Sequence, residues 1–194
     1  MLAVVFRAVP ARQGGSADLW WSRFEPVSFP GATIQEVALE ELVPLRRRVL
    51  RDGRDEPRAT TPGDALASTL HLGAMVPAGI VGCVSLARET GPEGTDLRLS
   101  SMAVAAEARG LGIGRALVDL AQRLAGGAGF SIWARARDSA IAFYGRCGFS
   151  VVGDGFIGNM DLPHHIIVWP SPGASHADRE SVGPVGIEPT TKGL

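Results

Sequence analysis

A glycine-rich turn between an apolar strand and a helix is the segment of this sequence best suited to chemistry. Residues 99–117 read LSSMAVAAEARGLGIGRAL, with Arg109 just before the turn and glycines at positions 110, 112 and 114. Glycine has no Cβ atom that would hold a ligand away from the backbone. Exposed backbone N–H groups and the positive end of a helix dipole attract anionic phosphate groups. The segment therefore predicts a phosphate-binding site.

The spacing of these glycines restricts the kind of ligand. The dinucleotide-binding pattern G-x-G-x-x-G needs its third glycine at position 115, but Arg115 stands there and the glycine comes one residue early, at Gly114. A Walker loop would continue with Gly-Lys-Ser or Gly-Lys-Thr, and neither follows here. The turn therefore matches neither of these two phosphate-binding patterns.

Hydrophobic periodicity predicts the elements that position this turn. Apolar residues at helical spacing predict a helix that begins near Leu39 and ends at Asp52-Gly53, and an amphipathic helix over Leu111 to Leu124. Residues 138–147 predict a further short helix that ends at Gly148. Runs of β-type residues predict strands at 33–37, 68–72, 79–87, 96–104, 130–134 and 165–169.

Changes of composition divide the chain into three parts. Residues 1–31 are rich in Gly, Pro, Ser and Arg and predict a poorly ordered extension, in which Trp20 and Trp21 could still dock onto the domain. Residues 32–170 predict a single domain. Residues 171–194 predict a disordered or spurious tail, which holds Lys192, the only lysine of the chain.

The bulk composition argues against several classes of protein. The formal net charge of −1 disfavours a nucleic-acid binder, and no apolar run reaches the roughly 18 residues that a membrane span needs. The two cysteines, Cys83 and Cys147, fit free thiols in a reducing compartment. Adjacent His164 and His165 lack metal-ligand spacing. We therefore expect a cytoplasmic protein with no metal and no nucleic-acid or membrane partner.

Two sequence signatures resemble those of one family. Arg109, Gly112 and Gly114 match [Q/R]-x-x-G-x-[G/A], the pyrophosphate-binding signature of the GCN5-related N-acetyltransferases, or GNAT family. The string A-x-x-F-Y-x-R-x-G-F, from Ala140 to Phe149, resembles the signature of that family's last helix. Because both occur in the family's order and separation, residues 33–169 are identified as a member of this family.

The resemblance implies a fold. A GNAT fold is of the α/β (α+β) class, with a mixed, mostly antiparallel central sheet of six to seven strands flanked by about four helices. The segments RRRVLR, TLHLGA and PHH are most similar to small bacterial members of the ElaA and YjcF type.

The resemblance also implies a reaction. Acetyl-CoA would be the co-substrate, and its acetyl group would move by direct attack to a primary amine of a small molecule or peptide. Tyr144 would be the general acid, because a phenol with a pKa near ~10 is protonated at neutral pH and close to a thiol in basicity. The residues implied to bind the cofactor are Met102, Ala103, Val104, Arg109, Gly110, Leu111, Gly112, Ile113, Gly114, Arg115, Arg137 and Ala140.

This chain departs from the family just before the last helix. Many members have an asparagine there that helps to hold the cofactor arm, whereas the nearest equivalent here is Arg135. Arginine cannot accept a hydrogen bond, so that contact must be lost or replaced. Arg135 or Arg137 could instead reach the 3′-phosphate of coenzyme A, and both could equally be solvated.

The acceptor side of the reaction is less defined by the sequence. No motif identifies a general base; Glu107, His71, His164 and His165 are candidates, and the two adjacent histidines rank first among them. An arginine-rich stretch favours an acceptor amine that carries a carboxylate or phosphate, with a solvated helix face as the alternative. Its members are Arg46, Arg47, Arg48, Arg51, Arg54 and Arg58.

Two other functions and the oligomeric state stay open. The domain could bind acetyl-CoA as a sensor and transfer nothing, although the presence of Tyr144 favours an enzyme. It could also be a nucleotide-binding α/β protein, which ATP or a nicotinamide nucleotide would occupy in preference to coenzyme A. A homodimer is compatible with the sequence.

Overall fold

The fold is an eight-stranded sheet with helices on both faces. The computed structural model describes residues 19–21, 23–50 and 59–171. The strands of this part are β1 (Val27–Phe29), β2 (Ala32–Glu36), β3 (Leu70–Val76), β4 (Gly79–Arg88), β5 (Leu97–Val104), β6 (Ile132–Arg137), β7 (Ser150–Ile157) and β8 (Pro163–Trp169). Its α-helices are α1 (Leu39–Leu50), α2 (Ile113–Gly127) and α3 (Asp138–Arg146).

The strand order is β1-β2-β3-β4-β5-β6-β8-β7. Every neighbouring pair is antiparallel except β5 and β6, which run parallel. This arrangement confirms the expected mixed, mostly antiparallel sheet. The described part has eight strands rather than six or seven, and three α-helices rather than about four. Single turns of 3-10 helix make up several of the connections.

The two long helices pack on opposite faces of the sheet. Ser85 on β4 contacts Arg46 of α1, whereas Gly82, three residues earlier on the same strand, faces α2. A Cβ atom at Gly82 would lie 2.7 Å from Cγ2 of Ile113, so this close approach of strand and helix requires a glycine. Asp138 of α3 contacts His165, which points away from the α1 side, so α3 shares the α2 face.

The parallel pair β5 and β6 separates after a short contact. Their pairing covers Leu97–Leu99 opposite Ile132–Ala134, and beyond it β6 continues beside β8. Strand β5 is also irregular, because Cys83 and Ser85 of β4 pair with Ala103 and Ser100, so two residues of β5 stand opposite one. This bulge includes Ser101 with a φ of 52°, and it leaves a cleft between the ends of β5 and β6.

Part of the segment expected to be poorly ordered belongs to the fold. Residues 27–29 form β1, which pairs with β2, and Trp20 and Trp21 are buried. The indole N–H of Trp20 donates a hydrogen bond to the carbonyl of Ser68 at 3.0 Å. The segment has no sustained apolar period that would predict this packing, because its apolar contacts come from residues distant in sequence. Residues 1–18, and the tail from 172 onward, lie outside the described residues.

Candidate active site

A cavity opens where β5 and β6 part. It has a volume of about 330 Å³, and Met102, Arg109, Arg137, Ala140 and Tyr144 are among the residues that line it. A larger hollow of about 650 Å³ lies between β1 and α2, but Arg115 is the only one of the expected site residues on its walls. The smaller cavity is therefore the candidate site, because residues of both sequence signatures meet there.

The glycine turn ends in an uncapped helix. Gly110 and Gly112 have φ angles of 79° and 81°, a left-handed conformation that other residues rarely adopt. Gly112 is the N-cap of α2, and no side chain bonds to the helix there. The N–H groups of the first helical turn, on Ile113, Gly114 and Arg115, have no acceptor within the helix. The turn therefore leaves these N–H groups free at the helix start, which is the geometry that binding of an anion at a helix end requires.

The side chains of Arg109 and Arg115 connect the glycine turn and α2 to neighbouring elements. Nε of Arg109 donates to the carbonyl of Val104 at 3.3 Å, which ties the turn to the end of β5. Nε of Arg115 donates to Asp119 at 2.7 Å, and its NH1 group donates to the carbonyl of Arg146 at 2.7 Å. Arg115 thus links α2 to α3, and its backbone N–H stays free at the helix end.

The bulge in β5 sets the direction of Met102 and Val104. A Cβ atom at Gly114 would lie 3.3 Å from Cε of Met102 and 3.5 Å from Cγ2 of Val104, so both side chains point to the α2 face. Ser100, before the bulge, is the register partner of Ser85 and points to the α1 face. Because β6 has diverged at this level, the edge of β5 that faces the cleft is left open.

Tyr144 lies in the cleft beside this stretch of β5. Its hydroxyl donates to Sδ of Met102 at 3.3 Å, and its ring makes edge contacts with Phe143 and Phe149. The side chain is 7% exposed. Burial raises the pKa of the Tyr144 phenol well above its ordinary value, with a smaller contribution from the nearby Cys147. The hydroxyl therefore keeps its proton at neutral pH.

Arg137 and Ala140 occupy different places in the cavity. Ala140 lies on α3, one turn before Tyr144. Arg137 is at the end of β6 on the α1 face, where its NH2 group donates to the carbonyl of Leu50 at 3.3 Å and lies 3.8 Å from Sδ of Met160. The cleft thus passes through the sheet, with the glycine turn at one end and Arg137 at the other.

Arg46 is part of the core rather than of an acceptor pocket. It is fully buried, and its NH1 group lies 2.9 Å from Oδ2 of Asp64, whose side chain is also buried. Its NH2 group donates to Oγ of Ser85 at 2.5 Å. This corrects the expectation that Arg46 belongs to an exposed basic surface. Helical spacing placed an arginine beside Leu42 and Leu45, but no local pattern revealed that Asp64 would reach it.

His71 completes this buried network. Its Nε2 atom lies 3.0 Å from the carbonyl of Asp64, which can only accept, so Nε2 carries the proton. Its Nδ1 atom then accepts from the hydroxyl of Ser85 at 2.6 Å. Burial lowers the pKa of His71. Both ring nitrogens are therefore engaged, and His71 fits a structural role.

The other expected acceptor-side residues are dispersed. Arg48 and Glu107 form an exposed ion pair with a separation of 3.3 Å, and neither lines the cavity. His165 contacts Asp138 at 2.8 Å on the α3 side of the sheet. Arg51, Arg54 and Arg58 lie outside the described residues.

His164 lies at the α1 end of the cavity. It is the register partner of Arg137 and stacks on Phe156, with ring centroids 5.8 Å apart. The sequence did not single out Phe156 or Gly158, which line the cavity beside it. The glycines and aspartate of β7 interrupt its apolar alternation, which is the reason that periodicity missed this strand.

The described residues contain neither a metal-binding cluster nor a membrane-spanning helix. No group of three or more His, Cys, Asp or Glu side chains there could hold a metal ion. None of the helices at 39–50, 113–127 and 138–146 is long and apolar enough to cross a membrane.

Comparison with known families identifies the class of protein. The family model described as "Acetyltransferase (GNAT) domain" matches residues 69–151, a span that includes β5, the glycine turn, α2 and α3. This match confirms the recognition made from the two signatures. Residues 69–151 are therefore a GNAT domain. Among the curated proteins compared, none matches the chain significantly.

Solved structures share the fold at low sequence identity. An acyl-CoA N-acyltransferase from Pseudomonas aeruginosa superposes with a TM-score of 0.60 at 20% identity, covering 71% of this chain and 98% of that chain. Escherichia coli ElaA gives a TM-score of 0.60 at 15% identity with the same coverage. An aminoglycoside 6′-N-acetyltransferase complexed with coenzyme A gives 0.54 at 17% identity, over 70% of this chain and 95% of that chain.

Proposed function

We propose that the protein is an acyl-CoA-dependent N-acyltransferase that moves an acetyl group to a primary amine of a small molecule or peptide. The observation that carries the proposal is the cleft between β5 and β6, where the uncapped start of α2 and the Tyr144 hydroxyl meet the same open edge of β5. The neighbour complexed with coenzyme A supports this choice of co-substrate, since it has the same fold.

The residues of the cleft fit an acyl-CoA. The N–H groups of Ile113, Gly114 and Arg115 would hold the diphosphate, because they lack helical acceptors and share the positive end of the helix dipole. The backbone groups of Met102 and Val104 on the open edge of β5 would pair with the pantetheine arm as an added strand. One of these N–H groups would also polarise the thioester oxygen. Bound acyl-CoA supplies the activated acyl group.

Tyr144 would act as the general acid. Its burial keeps the hydroxyl protonated, and the Met102 contact holds that hydroxyl beside the bulge of β5. The weak sulfur acceptor on Met102 leaves the proton free to move to a better acceptor, such as a departing thiolate. A phenol in this place can therefore give its proton to the sulfur as the thioester bond breaks.

Replacement of Tyr144 by phenylalanine tests this role. Tyr144→Phe keeps the ring and its contacts with Phe143 and Phe149 but removes the proton, so we expect kcat to fall about 100-fold. The KM for acetyl-CoA should stay within about twofold, because the substitution leaves the backbone N–H groups proposed to hold the diphosphate unchanged. Release of free thiol from acetyl-CoA with a panel of amino acids, polyamines and lysine peptides measures both constants.

The same assay distinguishes the enzyme from an acetyl-CoA sensor. Calorimetric binding of coenzyme A without thiol release on any amine, and without an effect of Tyr144→Phe, would support the sensor. Displacement of coenzyme A by ATP or a nicotinamide nucleotide would favour a nucleotide-binding protein instead.

A further inference from the structure

We propose that His164 is the general base that takes a proton from the acceptor amine. This inference rests on the proposed function, since it assigns a residue to the acceptor end of the same cleft. An amine that is protonated in solution must lose a proton before its nitrogen can attack a thioester.

The hydrogen bonding of His164 determines which nitrogen is basic. Nδ1 lies 2.7 Å from the carbonyl of Leu162, and a carbonyl can only accept, so Nδ1 carries the proton of the neutral ring. Nε2 then has a free lone pair. Among the residues that the structure describes, no group bonds to Nε2, and this atom is not one of the buried polar atoms that lack a partner. Nε2 is therefore accessible from outside the protein core.

The packing of the ring directs Nε2 toward the cavity. A Cβ atom at Gly158 would lie 2.5 Å from Nδ1 and 2.9 Å from Cγ, so the Nδ1 edge of the ring rests against this glycine. One face of the ring stacks on Phe156. His164, Phe156 and Gly158 all line the 330 Å³ cavity. With one edge and one face covered, the Nε2 edge is the part of the ring left for a ligand.

The acid and the base stand at opposite ends of the cleft. Tyr144 is on the α2 side, whereas His164 is on the α1 side beside its register partner Arg137. The other groups against the ring, Phe156 of β7 and Gly158 just after that strand, are uncharged, and Asp161 in the turn before β8 is exposed. An amine that enters from the α1 side would therefore meet His164 before it reaches the thioester carbonyl.

Together, His164 and Tyr144 account for every proton that is transferred in the reaction. His164 takes one proton from the ammonium group and releases it to solvent. The neutral nitrogen forms the new N–C bond, the C–S bond breaks, and Tyr144 gives its proton to the sulfur. The second proton lost by the nitrogen, as the amide forms, restores the Tyr144 hydroxyl. The products are the amide, the free thiol and one proton.

Two small amines test the assignment. Ethylamine is protonated at neutral pH and needs a base, whereas hydroxylamine is largely neutral and does not. His164→Asn retains a donor for the Leu162 carbonyl but has no basic nitrogen. We expect this variant to lower kcat/KM for ethylamine about 100-fold and for hydroxylamine less than threefold, with unchanged affinity for coenzyme A. His165→Asn, a matched change on the other face of the sheet, should leave both rates near those of the unmodified protein.

Several results would overturn the assignment. An equal loss with both amines would show that His164 only supports the fold, and no loss with ethylamine would remove the need for this base. In ¹⁵N spectra of histidine-labelled protein, the signal that disappears in His164→Asn should report a proton on Nδ1; a proton on Nε2 contradicts the proposal. If the unmodified protein turns over both amines and His164→Asn does not lower the ethylamine rate selectively, this inference alone is wrong. If the protein binds coenzyme A but turns over neither amine, the proposed function is wrong as well.

Discussion

The ion pair of Arg46 and Asp64 joins α1 to the turn that precedes β3. Both side chains are removed from water, and the Asp64 carboxylate also accepts the backbone N–H of Thr61 at 2.5 Å. Removing one charge from such a pair leaves the other buried and uncompensated. Thr61, Val49 and Leu50 line the cavity, so this pair holds the α1 end of the site in place.

We predict that Asp64→Asn lowers the free energy of unfolding by about 3–5 kcal/mol, because Arg46 stays buried without its counter-charge. Glu107→Gln is the control, since it breaks the exposed pair with Arg48 and should cost ~1 kcal/mol or less. Urea unfolding of both variants measures the difference. Similar small losses in the two variants would contradict the structural importance of the buried pair.

At the scale of elements, the start of α2 combines a turn that needs glycine with a helix end that no side chain caps. The sequence predicted this element well, because strand, glycine turn and amphipathic helix are adjacent in the chain and each has a local signal. The sequence did not predict the bulge of β5. The residues of that bulge, Ser101 and Met102, read as part of a regular strand, and only pairing with β4 shows the extra residue.

Gly112→Ala tests the helix end. Gly112 has a left-handed backbone conformation, in which a Cβ atom costs about 1–2 kcal/mol. Relief of this strain would turn the first-turn N–H groups, so we expect affinity for coenzyme A to fall about tenfold, which corresponds to ~1.4 kcal/mol. Gly127→Ala, at the other end of α2, places its Cβ in open space and should leave affinity unchanged. Isothermal titration calorimetry compares the two variants; equal affinities would argue against a diphosphate at the α2 start.

At the scale of the whole molecule, the fold begins earlier than composition indicates. Trp20 and Trp21 pack together with ring centroids 5.2 Å apart, and Val27 of β1 is buried in the same core. Trp20 also approaches Phe130, which lies between α2 and β6, with ring centroids 6.3 Å apart. The segment thus adds an edge strand to the sheet and buried side chains to the core, all from outside the predicted domain.

Truncation distinguishes a dispensable extension from a part of the core. We predict that a chain beginning at residue 32 unfolds at a clearly lower urea concentration than one beginning at residue 19, with a loss of about 3–5 kcal/mol. The reason is the removal of two buried indoles and of β1. Unfolding of both chains followed by far-UV circular dichroism provides the measurement. Coincident midpoints would show that residues 19–31 add nothing to stability.

The sequence by itself determined the family, the fold class, the glycine turn and Tyr144 as the residue to examine, because each of these depends on residues close together in the chain. The tertiary structure decided which arginines and histidines share the site. Arg46 and His71 belong to a buried hydrogen-bond network, whereas His164 and Arg137 lie together at one end of the cleft. The side of the sheet on which a polar residue emerges depends on register and on the β5 bulge, and these follow from contacts between strands distant in sequence.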